Sequence, residues 1–116
     1  MSISDMTRRK NYYRRIFASY LTFNKSQLTF WHEPPAADDD FVPGKLGAYP
    51  MLFAKKADYA VSLDPSGIPL LNYHGSLGLQ YNPIAIAQYG LGNYNLFRRT
   101  GSKDRLKKFL LTADWL

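Results

Sequence analysis

From Ile84 to Phe97 the chain carries no charged side chain, and apolar residues cover most of a helical circumference. Ile84, Ala87, Leu91 and Tyr94 fall on one side of such a helix, with Ile86, Tyr89, Gly90 and Phe97 around the others. A helix apolar nearly all round must be enclosed by neighbours. Its ends are marked. Asn82-Pro83 supplies a favoured N-cap and a residue pre-set for the first helical position. Arg98 and Arg99 suit the negative end of the helix dipole, and Thr100-Gly101 breaks the helix. Ser102 caps a second helix with Leu106, Phe109, Leu110 and Ala113 on one face and Lys107 and Lys108 turned outward. So short a connection predicts an antiparallel αα-hairpin.

The rest of the chain reads differently. Asp5 to Leu21 has a helical stripe of Tyr13, Ile16, Phe17 and Tyr20, expected to pack against the fold, with Arg8 and Arg15 on another face. Leu28 to His32 is expected to be a short strand ended by Pro34-Pro35. Ala36 to Ala48 is expected to be a loop. Asp38-Asp39-Asp40 lacks the alternating spacing and closing glutamate of a calcium loop. Strands are predicted at Tyr49–Lys55 and Tyr59–Leu63. Asp64-Pro65-Ser66-Gly67 fits a type I turn returning the chain as a partner strand from Ile68 to His74. Pro69 cannot donate to a ladder and belongs at an edge or a strand start.

At 116 residues the chain is one small domain at most, and its 16% aromatic content argues against wholesale disorder. With no cysteine it has no disulfide framework, thiolate metal site or cysteine nucleophile. No apolar run approaches the ~20 residues of a spanning helix, and the polar start does not resemble a secretory signal. These features predict a soluble chain with no transmembrane segment. The formal net charge of +6 is uneven. Arg8, Arg9, Lys10, Arg14, Arg15 and Lys25 face only Asp5 in the first segment, the middle is mildly acidic, and residues 70–116 are basic again. Basic ends suit a polyanion, or simply solvate helix faces.

Familiar catalytic patterns are missing. His74-Gly75-Ser76-Leu77-Gly78 has a histidine where a nucleophile elbow needs glycine. There is no phosphate-binding glycine loop. His32 and His74 alone make no zinc site, so no metal is expected, and each reads as a structural histidine. Tyr81, Tyr89 and Tyr94 read equally as core aromatics with satisfied hydroxyls.

Gly67-Ile-Pro-Leu70, Gln80-Tyr-Asn-Pro-Ile-Ala-Ile-Ala-Gln-Tyr-Gly-Leu91 and Asn93-Tyr94 resemble the D-glucuronyl C5-epimerases, especially bacterial members. Arg99-Thr-Gly101 and Ala113-Asp-Trp-Leu116 fit the same pattern, and a weaker likeness reaches back through Gly44–Tyr59 and Leu28–His32 to Tyr20-Leu21. The resemblance covers most of this chain but only the N-terminal portion of the family's length. It implies an α+β chain. An N-terminal helix and a small antiparallel β region (residues 1–82) would lead into the first αα-hairpin of an incomplete α/α toroid (residues 83–116). The end at Ala113-Asp-Trp-Leu116, without a C-cap or polar tail, is read in the same sense, as an N-terminal piece.

The activity so implied converts D-glucuronic to L-iduronic acid units in a heparosan-like polysaccharide, by removal and return of the C5 proton without a cofactor. The implied partner is the acidic polysaccharide, with no nucleic acid, and the intact enzyme would be a homodimer. A bacterial-type chain would work in the cytoplasm, whereas animal relatives work in the Golgi lumen. Tyr81, Gln88 and Tyr89 lie on matching motif positions and are the substrate-binding candidates. The catalytic acid and base are expected downstream and are assigned to no residue here. At Asn82 the animal enzymes carry an aromatic, so no phenol contact transfers there. The alternative is a non-enzymatic helical-hairpin module that binds a protein partner or a polyanion. An exposed apolar face on the Ile84–Phe97 helix, and poor solubility with it, are also expected.

Overall fold

A computed structural model of the chain describes residues 3–21 and 27–116. The fold is α+β, built as two compact units, Met1–Glu33 and Pro34–Leu116. No described helix is long and apolar enough to cross a membrane.

The first unit holds α1 (Ile3–Leu21) and α2 (Gln27–His32). Helix α1 matches the periodicity, yet Tyr13 stands exposed with its ring edge against Tyr12. The side chains of Ile16, Phe17 and Tyr20, the rest of the expected stripe, lie outside the described residues. The strand expected at Leu28–His32 is helix α2 instead. A helical turn satisfies its backbone locally, whereas a lone strand leaves donors and acceptors unpaired. Phe30 and Trp31 meet edge to face, 4.9 Å between centroids. The prolines expected to end a strand follow the end of this helix instead, because the residue before proline is driven from the helical region.

The second unit opens with β1 (Ala36–Ala37), paired antiparallel to β2 (Met51–Leu52) in the register Ala36↔Leu52 and Ala37↔Met51. The expected loop at 36–48 therefore contributes a short strand. The strand expected over Tyr49–Lys55 shrinks to β2, because Ala54–Ala57 coils into a single turn, α3. Alanine and lysine favour helix over strand, and the Ala57 N–H closes that turn on the Phe53 carbonyl at 3.0 Å.

The turn at Asp64–Gly67 forms. The Gly67 N–H reaches the Asp64 carbonyl at 3.0 Å, and Asp64 Oδ1 accepts from the Ser66 and Ile68 amides at 2.9 Å each. The two strands expected to flank it are reduced to a bridge between Leu63 and Pro69, with Leu70 N–H donating to Ser62 O at 2.9 Å. Pro65 and Pro69 bring no donors, so a longer ladder cannot propagate there. The segment after Pro69 pairs forward instead. Strand β3 (Leu71–Asn72) lies antiparallel to β4 (Leu79–Gln80), with Leu71 opposite Gln80.

Helix α4 (Pro83–Thr100) begins and ends where the sequence marks it. Asn82 Oδ1 accepts the Ala85 N–H at 3.1 Å, and Gly101 takes the left-handed conformation, φ 71°. Helix α5 (Lys103–Trp115) starts on Ser102 Oγ, which accepts the Arg105 N–H. The hairpin forms, but α5 is not the only neighbour of α4. Helix α3 packs on it as well. Ala85, Ile86 and Tyr89 are buried, together with Phe53, Ala57, Tyr59 and Ile68 from the preceding segments. Burying one such aliphatic or aromatic side chain is worth about 1.5–3 kcal/mol. Of the face expected to be open, Ile84 is exposed and the other apolar side chains of α4 are at least partly covered.

Two glycines permit this crowding. A Cβ on Gly90 would overlap Thr112 Oγ1 of α5, and one on Gly92 would overlap the Phe53 carbonyl oxygen just before α3.

Candidate functional site

Three polar clusters surround α4. In the first, Asn95 and Arg99 on α4 hold the aspartate loop. Arg99 Nη2 donates to Asp38 Oδ1 at 2.9 Å and Arg99 Nε to Asp40 Oδ2 at 3.1 Å. Asn95 Nδ2 donates to Asp38 Oδ2, and its Oδ1 accepts the Tyr49 N–H. Two of the three consecutive aspartates are therefore bonded to a guanidinium. Among the described residues no group of three or more His, Cys, Asp or Glu is gathered to hold a metal ion.

In the second cluster, Arg105 of α5 reaches Asn93 Oδ1 at 3.1 Å, the Ala57 carbonyl at 3.2 Å and Asp58 Oδ1 at 2.8 Å. One side chain thus ties α3, α4 and α5 together. These three bonds make it a structural tie.

The third cluster stands on the surface where β4 passes into α4. Tyr81 follows β4 directly, and its hydroxyl donates to Asp64 Oδ2 at 2.7 Å. The charge-assisted bond shifts both groups. Asp64 is held below the usual carboxylate range, chiefly by Tyr81 and then by the Ile68 amide, and the Tyr81 phenol is pushed up by the same bond. The Tyr81 ring leans on Trp115 of α5, 5.1 Å between centroids at 42°. Beside them Asn82 Nδ2 donates to the Tyr73 hydroxyl at 2.8 Å. Tyr81 is 45% exposed and Trp115 38%, so phenol, carboxylate and indole all meet solvent.

The three sequence-derived candidates separate. Tyr81 stands on this surface. Tyr89 lies on α4 at 2% exposure, with burial raising its phenol pKa against the opposing pull of the Arg105 cation. Gln88 precedes it on α4, and its Oε1 is buried with no hydrogen-bond donor among the described residues. His32 and His74 are exposed, and His74 adopts a left-handed backbone at φ 61° in the β3–β4 turn.

Asp64 and Trp115 were not singled out by the sequence as site residues. Asp64 carried only a turn signal, and Trp115 only a place in the Ala113-Asp-Trp-Leu116 stretch of the resemblance. Their meeting with Tyr81 spans 17 and 34 positions and leaves no mark in periodicity. No family model matches the chain, and neither does any curated protein or solved structure.

Proposed function

We propose that this chain forms the N-terminal portion of a D-glucuronyl C5-epimerase, converting D-glucuronic to L-iduronic acid units in a heparosan-like polysaccharide. The observation that carries this reading is the Gln80–Leu91 motif together with the exposed Tyr81 hydroxyl set on Asp64. In this reading α4 and α5 are the first helical pair of an α/α toroid, and the β3–β4 hairpin leads into its cleft. Epimerisation breaks the C5–H bond on one face of the sugar and returns a proton to the other. It therefore needs an acid and a base on opposite faces and donors for the enolate-like intermediate. Tyr81 contributes its ring and a hydroxyl oxygen that can accept at the edge of the cleft, its one proton being held by Asp64, and the acid and base lie outside these residues. The reaction uses no cofactor and belongs to the cytoplasm.

Deuterium uptake tests this. Heparosan is incubated in heavy water with the longest product of the reading frame that carries this chain, and C5 deuteration is read by NMR. Exchange at C5 supports the reading, and an intact C5–H signal with that product overturns it.

A second reading, a binding module for polyanions, draws on the ion-pair pattern. Arg99, Arg105 and Lys108 are paired, whereas Arg98, Lys103 and Lys107 make no ion pair among the described residues. Such a module would show salt-sensitive association with the polysaccharide and no C5 exchange.

A further inference from the structure

Between Lys56 and Arg98 the chain contains neither lysine nor arginine. The Tyr81 surface lies within that stretch. Trp115 of α5 stands two helical turns beyond Lys107 and Lys108 and directly after Asp114. Asp64 is the charged group that the structure sets on the Tyr81–Trp115 pair, through its bond to the Tyr81 hydroxyl. Asp64 stays a carboxylate because Tyr81 and two amides bond to it. The exposed neighbours of Tyr81 along the chain, Leu79 and Ile84, are aliphatic, and Asn82, bonded to the Tyr73 hydroxyl, is neutral.

A pyranose ring offers two chemistries, a face of C–H groups and a rim of hydroxyls. Exposed aromatic faces accept the first, and their polar tips keep such rings wet on one side. A carboxylate, a phenol and an amide accept and donate to the second, and a few fixed polar groups on an apolar floor give orientation. A negative group on the ligand would meet the Asp64 carboxylate at close range. We propose that the Tyr81–Trp115 surface seats an uncharged pyranose unit and disfavours a uronate. In a chain alternating uronate with an uncharged amino sugar, the amino sugar rests here. This assignment rests on reading the Tyr81 region as part of a saccharide cleft, and it places the reacting uronate off this surface.

The test uses the 116-residue chain labelled with nitrogen-15. Its two tryptophans give two indole signals, and the one lost in Trp115→Phe is Trp115. Chitin oligosaccharides serve as the uncharged probe and glucuronate homo-oligomers as the anionic one. The expected result is a saturable shift of the Trp115 indole with chitin oligosaccharides and about threefold weaker binding of the anionic probe. That is the scale of one like charge a few ångströms away at a wet surface. Asp64→Asn, which keeps an oxygen for the Ser66 and Ile68 amides, should erase the difference. Trp115→Ala should weaken chitin-oligosaccharide binding about fivefold or more. The assignment is overturned by a Trp115 signal that chitin oligosaccharides do not move. Equal binding of both probes by the unaltered chain, or a preference that survives Asp64→Asn, overturns it too. C5 exchange without a Trp115 shift would remove this surface and leave the epimerase. A shift without exchange would keep the surface and remove the enzyme.

Discussion

Asp38 and Asn95 are 57 positions apart, yet Asn95 Nδ2 donates to Asp38 Oδ2 at 3.0 Å inside the fold. The bond fixes the start of the aspartate loop to the middle of α4. It also explains an amide in an otherwise apolar helix. Asn95 is 1% exposed because it serves the Tyr49 amide and carbonyl as well as Asp38, so its polar atoms are used rather than stranded.

Asp38→Ala should therefore lower stability by about 2 kcal/mol, since it removes a buried carboxylate shared by Arg99, Asn95 and the Asp40 amide. Asp40→Ala, at a carboxylate 62% exposed, should cost less than about 0.5 kcal/mol. Urea denaturation of the two variants side by side checks this. Equal losses would mean that the aspartate loop is held by something other than Asp38.

Gly92→Ala should destabilise the chain. In an open helix this exchange gains up to about 1 kcal/mol. Here the new methyl would overlap the Phe53 carbonyl, and backbone cannot swing aside as a side chain can. A loss of about 1–3 kcal/mol is expected, as for other overpacked cores. Thermal melting reads the sign directly, and a raised Tm would show that α3 does not sit where the fold places it.

Tyr81 should ionise above the ordinary tyrosine value of 10.0, and Asp64→Asn should bring it back down. Its folded pKa is raised, so the unfolded chain loses its phenolic proton first. The stability linked to this group is complete below pH 10.0 and is lost as pH rises through the raised folded value. Asp64 runs the other way. Its contribution is present above the ordinary 3.8 and disappears as pH falls through its depressed folded value. Tyrosine ring signals followed by NMR through an alkaline titration give the test. Tyr89, raised chiefly by burial, should keep its shift in Asp64→Asn.

His74→Gly should stabilise the β3–β4 turn. A left-handed backbone costs a residue with a Cβ about 1–2 kcal/mol, and glycine's greater unfolded freedom returns part of that. A net gain of about 0.5 kcal/mol is expected in chemical denaturation. A loss would mean that the imidazole itself holds the turn.

The helical hairpin was legible in the sequence because its signals are local. Asn82 and Ser102 bond to amides three residues on, Gly101 supplies a left-handed cap one residue past the helix, and an apolar circumference needs no distant partner to be seen. The β region was not. Leu28–His32, Tyr49–Lys55 and Tyr59–Leu63 are short apolar runs that can serve as strand or turn, and the choice depends on which backbone groups find partners. Pro69 and the pairing of β3 with β4 settled one case, and the Ala54–Ala57 turn another. The substrate candidates divide in the same way. Resemblance placed Tyr81, Gln88 and Tyr89 together on one motif, and the fold puts Tyr81 in solvent and Tyr89 in the core.

By itself the sequence determined where α4 begins and ends, where α5 begins, and where the chain turns at Asp64–Gly67. Those outcomes rest on bonds and steric preferences among residues within about one helical turn of each other. Only the tertiary structure decided that α3 as well as α5 would cover α4, that Arg105 would tie all three, and that Asp64, Tyr81 and Trp115 would share a surface. Each of these depends on segments far apart in the chain reaching contact, and no local pattern encodes which of many distant partners will be met.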